Sequence, residues 1–347
     1  MSDPDLLVVS LGTTRGLRVA DGAFVDQLRR AGASAEAVSV RIGALAVLRR
    51  AYPVNDLVEA AAARRALAAA LRRRPRAVVF STVTAALLAP KLELPYAVRL
   101  DSPAALNRRG RASFALHPLE RRALAGARLV LPWSRAARAA LPAGRERAVV
   151  LPPPVTPSGP HSPERERLAV AYVPDPKAKG LDLLCAAWSL AGVDGARLEV
   201  FGIEAERARR HLERTGVRQP AGVEWRGLTP AADFRGALRR ARVFAAAGRW
   251  EDFGQAQLEA LADGTLLATV PSGGAYEALA LARELEPRLA AQTLDPGALA
   301  EALRAAFELP PDRVERYRGD AAARLSAYSP QALVRRVANE VIPALLG

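Results

Sequence analysis

Short apolar runs alternate with Ala/Leu/Arg stretches of helical period along the whole sequence. Runs of four to six apolar residues closed by turn residues read as buried strands, and the stretches between them as amphipathic helices. In the first half the pattern predicts strands at Leu6–Leu11, Glu36–Val40, Ala77–Ser81, Tyr96–Leu100, Arg128–Leu131 and Ala148–Leu151. Helices fall between them, among them Gly22–Ala31, Val54–Arg74 and Phe114–Ala125. Such alternation is the mark of parallel βαβ units.

The alternation stops at Pro152-Pro153-Pro154-Val155-Thr156-Pro157-Ser158-Gly159-Pro160-His161-Ser162-Pro163. Proline lacks the N–H that helix and central strand need, so this segment reads as an extended connection. The pattern then restarts, with strands expected at Leu168–Val173, Arg197–Phe201, Val223–Arg226, Val243–Ala246, Leu266–Thr269 and Leu289–Ala291. Helices are expected at Gly180–Ala191, Glu204–Thr215, Pro230–Arg240, Ala256–Ala262, Tyr276–Leu281 and Pro296–Phe307. Ser329-Pro330 opens a last helix, serine as N-cap and proline at the first helical position. The expected organisation is a domain over 1–155, a linker over 156–164, a second domain over 165–328, and a helix over 329–347 able to pack back on the first domain. Both domains read as doubly wound parallel α/β sheets, whose ligands bind beyond the strands' carboxyl ends.

The chain has 347 residues and a formal charge of +14. Residues 1–150 carry 25 basic against 11 acidic residues, and residues 151–347 carry 25 of each, so the whole excess lies in the first half. It suits an acidic substrate, an anionic membrane surface, or simply solvated arginine-rich helices. A nucleic-acid partner is not expected, because no binding motif is visible and aromatics make up only 5 %. One cysteine, Cys185, excludes an internal disulfide and reads as core. Three histidines without paired spacing make a metal site improbable, and His117 reads as structural. No apolar run is long enough to span a bilayer and the N-terminus shows no export signal, so a cytoplasmic location is expected. Only three cations are lysines, and two of them, Lys177 and Lys179, share one hexapeptide, Asp175–Gly180. Ammonium is a compact point charge that suits phosphate.

The densest chemical signal is Arg249-Trp250-Glu251-Asp252-Phe253-Gly254-Gln255-Ala256-Gln257-Leu258-Glu259-Ala260-Leu261-Ala262-Asp263-Gly264. Gly254 opens a helix whose free N–H groups favour an anion. Glu259 leans back toward that opening, where a ligand hydroxyl can donate to it, and Glu251 offers a second acceptor. Either glutamate alone would read as paired or exposed; the pair around Phe-Gly argues for a site.

Glu-x7-Glu within Glu-Asp-Phe-Gly-x4-Glu-Ala-Leu-Ala-x-Gly resembles the hallmark of retaining, nucleotide-sugar-dependent glycosyltransferases of the GT-B fold, the family-four group. Lys179-Gly180-Leu181-Asp182-Leu183-Leu184 resembles that family's phosphate-binding lysine segment. Leu198–Gly202 resembles its next strand and glycine turn, Val223–Gly227 the stretch bordering the base, and Glu120–Ser134 the late helix-strand segment of its N-terminal domain. The resemblance implies two Rossmann-like domains facing a cleft. It implies transfer of a sugar from a nucleotide-diphosphate donor to an acceptor hydroxyl, without metal or other cofactor. Glu259 would meet the ribose hydroxyls, Glu251 the donor sugar with backbone near Phe253 and Gly254, and Lys179 the departing diphosphate. Gly202 and Gly227 would border the nucleotide.

Departures from the family pattern are specific. Pro174-Asp175 stands where a Gly-Arg is usual, and Lys177 is the candidate substitute cation. Gly12-Thr13-Thr14-Arg15-Gly16 replaces paired glycines, leaving Gly12 for close approach and Arg15 for phosphate or acceptor. Asp101 stands near a usual histidine, as an acceptor contact or as the cap of a turn. Ser272-Gly273-Gly274 reads either as an anion nest or as a plain turn. The acceptor is expected to be a saccharide, lipid or small molecule, with peripheral contact to an anionic membrane as one arrangement. The alternatives are a non-catalytic nucleotide-sugar or nucleic-acid binder on this fold, and a sugar-nucleotide epimerase.

Overall fold

A computed structural model describes residues 3–43, 47, 53–107, 110, 114, 116–160 and 164–347. Contacts divide the chain into two units, 1–154 together with 328–347, and 155–327.

The first unit holds five parallel strands: β1 (Leu6–Ser10), β2 (Ala35–Ser39), β3 (Ala77–Phe80), β4 (Tyr96–Leu100) and β5 (Leu129–Pro132). Their order is β2-β1-β3-β4-β5. The reason β1 is an uninterrupted apolar run, rather than an alternating one, is that both faces are covered. Leu7 and Val9 pack with Leu67 and Ala63 of helix Val54–Ala70. Leu6 and Val8 pack with Phe24 and Leu28 of helix Arg15–Arg30 and with Leu333, Val337, Val341 and Leu345 near the C-terminus. Ser329 caps that last helical stretch by accepting from the Ala332 N–H.

The second unit repeats the plan with β6 (Glu166–Tyr172), β7 (Arg197–Phe201), β8 (Val223–Gly227), β9 (Ala241–Ala246) and β10 (Leu266–Thr269). The order is β10-β9-β6-β7-β8, again all parallel. The chain leaves β6 toward β7 on one side and returns to β9 on the other. The carboxyl ends of β6 and β9 therefore border the switch point where such sheets hold ligands.

Two expected strands are not strands. Ala148–Leu151 runs extended beside β5, with Val149 and Leu151 N–H donating to Val130 and Pro132 O, but it makes a single bridge before the prolines. Leu289–Ala291 likewise makes one bridge, Thr269 to Ala290, after a short 3₁₀ turn over Pro287–Leu289. One helix, Pro311–Leu325, was not expected at all. It buries Val314, Tyr317, Ala321 and Leu325 at helical spacing beneath a strongly charged outer face. The helix expected from Gly22 begins at Arg15, because Thr14 caps it by accepting from Leu17 N–H at 3.2 Å. His161 and residues 162–163 of the proline-rich segment lie outside the described residues.

Candidate functional site

Three loops meet beyond the carboxyl ends of β6, β9 and β10. The loop after β6 is shaped by Asp175, whose Oδ1 accepts from the N–H groups of Lys177 (2.9 Å) and Ala178 (3.0 Å). This is the side-chain-to-backbone turn for which aspartate is suited. The Ala178 carbonyl then accepts from Arg249 N (2.9 Å) and Trp250 N (3.2 Å), tying this loop to the one after β9. The third loop joins through Glu251 N to Gly273 O and Gly273 N to Arg249 O, both 3.1 Å. Gly273's N–H is therefore engaged in backbone pairing, and Ser272-Gly273-Gly274 is a paired turn.

Gly180 is the tightest point. Its φ of +63° is the left-handed conformation that glycine adopts without penalty, and a Cβ there would lie 2.1 Å from Ala247 O. It sets helix Leu181–Ala191 against the loop after β9 and leaves Lys179 facing Glu251. Lys179 Nζ lies 2.7 Å from Glu251 Oε2, with side-chain exposures of 24 % and 8 %. Glu251 Oε1 accepts from Gln257 Nε2 at 2.9 Å. Neighbouring Arg249 grips Asp182 with both terminal nitrogens, at 2.8 and 2.7 Å. Burial opposes ionisation of Asp182, but these bonds and the Arg249 charge outweigh it, so its carboxyl sits below the usual range.

Phe253 is buried and Gly254, at φ +89°, opens helix Gln255–Ala262 without a side-chain cap. Its first-turn N–H groups thus have no cap from Gly254 itself. Within the helix Leu258, Leu261 and Ala262 form a buried stripe, while Glu259 keeps a side-chain exposure of 24 %. Glu259 accepts from Gln255 Nε2 at 3.0 Å and lies 3.7 Å from Arg235 Nη1. Lys179 and Glu251 are joined directly; Glu259 is held one helical segment away by its own partners. Arg235 also donates to Asp263 Oδ2 (2.7 Å) and to Thr156 O (2.7 Å). Asp263 is wholly buried and further accepts from Ser158 N and Oγ. Sequence reading missed this Arg235–Asp263 hub, whose members lie far apart in the chain.

The remaining expected site residues are spread along the same sheet edge or belong to the first unit. Gly202 N donates to Gly227 O at 2.9 Å, joining the ends of β7 and β8. Lys177 is exposed, and Arg207 Nη1 donates to Pro174 O at 3.1 Å, which brings a guanidinium to the Pro174-Asp175 position. In the first unit the Gly12 carbonyl accepts from Arg18 Nη1 at 2.7 Å. Arg15 begins helix Arg15–Arg30, and its side chain lies outside what is described. Asp101 Oδ1 accepts from Ser102 N at 2.7 Å, the geometry of a turn cap at the end of β4. Arg99, also missed in the sequence, is 1 % exposed beside Asp21, with Phe24 stacked at 4.3 Å. Burial pushes its pKa down to about 10, against the pull of Asp21 and Asp101. Among the described residues no cluster of His, Cys, Asp and Glu could hold a metal ion, and Cys185 is buried core.

Residues 165–308 match the family model described as glycosyl transferases group 1. No curated protein matches the sequence. Solved structures match over nearly the whole chain. A glycosyltransferase from Rickettsia africae is 13 % identical with a TM-score of 0.70, covering 98 % of both chains. Anabaena HepE, in complex with UDP and glucose, is 13 % identical with a TM-score of 0.72, covering 98 % of this chain and 100 % of that one. Sucrose-phosphate synthase from Thermosynechococcus elongatus is 15 % identical with a TM-score of 0.74, covering 96 % of each. The chain thus has the two-unit, parallel-sheet fold of these structures, and its segment 165–308 matches the group 1 glycosyl transferase model.

Proposed function

We propose that the chain is a retaining, metal-independent glycosyltransferase that moves a sugar from a nucleotide diphosphate to an acceptor hydroxyl. The observation that carries this reading is the Lys179–Glu251 pair at the β6/β9 switch point, beside the uncapped opening of helix Gln255–Ala262. A cation, a carboxylate and the positive end of a helix at one sheet edge suit a ligand that bears both phosphate and hydroxyls.

Lys179 transfers its ammonium from Glu251 to the diphosphate, and Glu251 accepts from the donor sugar's hydroxyls. Glu259 takes the ribose hydroxyls, displacing Gln255. The C1–O bond of the donor breaks with its electron pair on the phosphate oxygen. The acceptor oxygen bonds to C1, and its proton ends on the departing phosphate. Lys179, Lys177 and the helix opening stabilise the charge that develops there. Asp101 and Arg15 are the acceptor-side candidates of the first unit. The basic excess of residues 1–150 favours an acidic acceptor or one held at an anionic membrane surface. No helix among the described residues is long and apolar enough to cross a membrane.

UDP is the first ligand to test, since HepE is bound to UDP-glucose in a second solved structure with a TM-score of 0.74. Thermal unfolding should shift upward with UDP, ADP or GDP, and a ligand at 100 times its Kd stabilises by about 2.7 kcal/mol. The shift should vanish in Glu259→Ala and survive EDTA. A protein whose unfolding no nucleoside diphosphate moves does not have this function.

A further inference from the structure

We infer that Gln257 is a positioning residue for Glu251, holding it from the protein side while Lys179 holds it from the open side. The inference rests on the donor-binding reading above. Both carboxylate oxygens of Glu251 have donors: Oε1 takes Gln257 Nε2 at 2.9 Å and Oε2 takes Lys179 Nζ at 2.7 Å. The two donors differ in kind and in burial. Gln257 is neutral and 4 % exposed, whereas the Lys179 side chain is charged and 24 % exposed.

The helix places Gln257 for this task. Gly254 is the N-cap of Gln255–Ala262, so Gln257 is the third helical residue, and its side chain leans back toward the loop that carries Glu251. A further polar chain lies behind it. The Tyr276 hydroxyl interacts with the Gln257 side chain and sits 2.8 Å from Thr269 Oγ1. Thr269, Tyr276, Gln257 and Glu251 are all buried. Burial, and then the Glu251 charge, push the Tyr276 phenol above its ordinary value, so it stays protonated and able to donate. A buried polar chain of this kind fixes its members when each has a partner.

The asymmetry has a chemical result. A diphosphate competes for the Lys179 ammonium, because phosphate oxygens carry more charge than one carboxylate. It has no such claim on a buried amide. When Lys179 turns to the diphosphate, Oε2 is released toward the ligand while Gln257 keeps Oε1 in place. Glu251 then presents one fixed acceptor to a sugar hydroxyl instead of rotating about its own side-chain torsions. Gln257 touches no ligand in this scheme; it acts through Glu251.

The test measures affinities for a nucleoside diphosphate and for its glucose conjugate by calorimetry, first with the intact protein and UDP, ADP and GDP. Gln257→Met keeps the length of the side chain and removes the donor; Gln257→Glu keeps the shape and opposes the carboxylate. Both variants should retain bare-diphosphate affinity within about twofold and lower the conjugate-to-diphosphate affinity ratio about tenfold. Tyr276→Phe should lower the same ratio by less. An unchanged ratio in a Gln257→Met protein that still binds diphosphate refutes the role of Gln257 and leaves the donor-binding reading intact. Equal loss of both ligands also refutes it, since that is damage to the fold. Intact protein that binds none of the three diphosphates fails the donor-binding reading itself, and the inference falls with it.

Discussion

Substituting Gly180 by alanine separates backbone strain from site geometry with one methyl group. Two costs arise at this position. A non-glycine residue in the left-handed region costs roughly 1–2 kcal/mol. In addition, the new Cβ would stand 2.1 Å from the Ala247 carbonyl oxygen, a backbone atom that cannot rotate away. Reaching an ordinary C···O separation requires the two loops to part by roughly 1 Å. Those loops carry Lys179 and Glu251, now 2.7 Å apart, so that their charge-assisted hydrogen bond is stretched beyond its range. A misplacement of about 1 Å in a reactive constellation lowers rate about a hundredfold. Gly192 is the internal control. It closes the same helix at φ +56° with nothing within 4 Å of its would-be Cβ, so Gly192→Ala carries the left-handed cost alone. Urea unfolding and nucleoside-diphosphate titration of both variants decide the matter. Gly180→Ala should lose at least about 1 kcal/mol more stability than Gly192→Ala and at least tenfold in diphosphate affinity, with Gly192→Ala binding normally. Equal stabilities, or normal binding by Gly180→Ala, would refute the reasoning.

Other expected outcomes follow from the same geometry. Asp263→Ala removes the buried acceptor of Arg235 and Ser158, and breaking a buried pair on one side costs about 3–5 kcal/mol. Urea unfolding should show that loss, and amide exchange at Ser158 should speed up; native exchange there would contradict the hub. Asp182 titrates below its ordinary value, so the stability it contributes is complete above the unfolded pKa of about 3.9 and is lost as pH falls through the lower folded value. Thermal unfolding between pH 2 and 6 should therefore fall more steeply in the native protein than in Asp182→Asn, and parallel curves would remove the Arg249 link. Burial raises the Cys185 thiol to about 12, leaving roughly one thiolate in a few thousand at pH 8.5. Iodoacetamide should modify it only after unfolding, and rapid labelling of folded protein would show the side chain to be accessible.

The strands were legible because parallel sheets bury both faces, which turns each strand into a short unbroken apolar run such as Leu6–Val9. The same signal misled at Ala148–Leu151, where an apolar run lies alongside β5 but prolines end it before a ladder forms. Helix Pro311–Leu325 escaped because its four buried residues are diluted by arginines and acids and interrupted by Gly319. In the candidate site, Lys179 and Gly254 stood out in the sequence because cation identity and glycine placement are local signals, and Glu251 because of its spacing to Glu259; that Lys179 meets Glu251 is seen only in the fold. Gln257 and Arg235 did not stand out, since their significance depends on which side chain each one meets across the fold. Asp182 and Arg249 were likewise two separate charges in the sequence, and only the path of the Gly180 turn makes them a bidentate pair.

The chain passes between its two units twice, at 154/155 and at 327/328, so the second unit is an uninterrupted stretch nested inside the sequence of the first. Leu333, Val337, Val341 and Leu345, each at most 3 % exposed, are part of the first unit's core. During synthesis that core therefore lacks one wall until residues 333–345 have emerged from the ribosome. The nested unit has no such wait and can complete its own core first. The usual order of maturation, N-terminal part before C-terminal part, is thereby inverted. Until then the unwalled face of β1 and its neighbours is the surface on which a nascent-chain chaperone has something to hold.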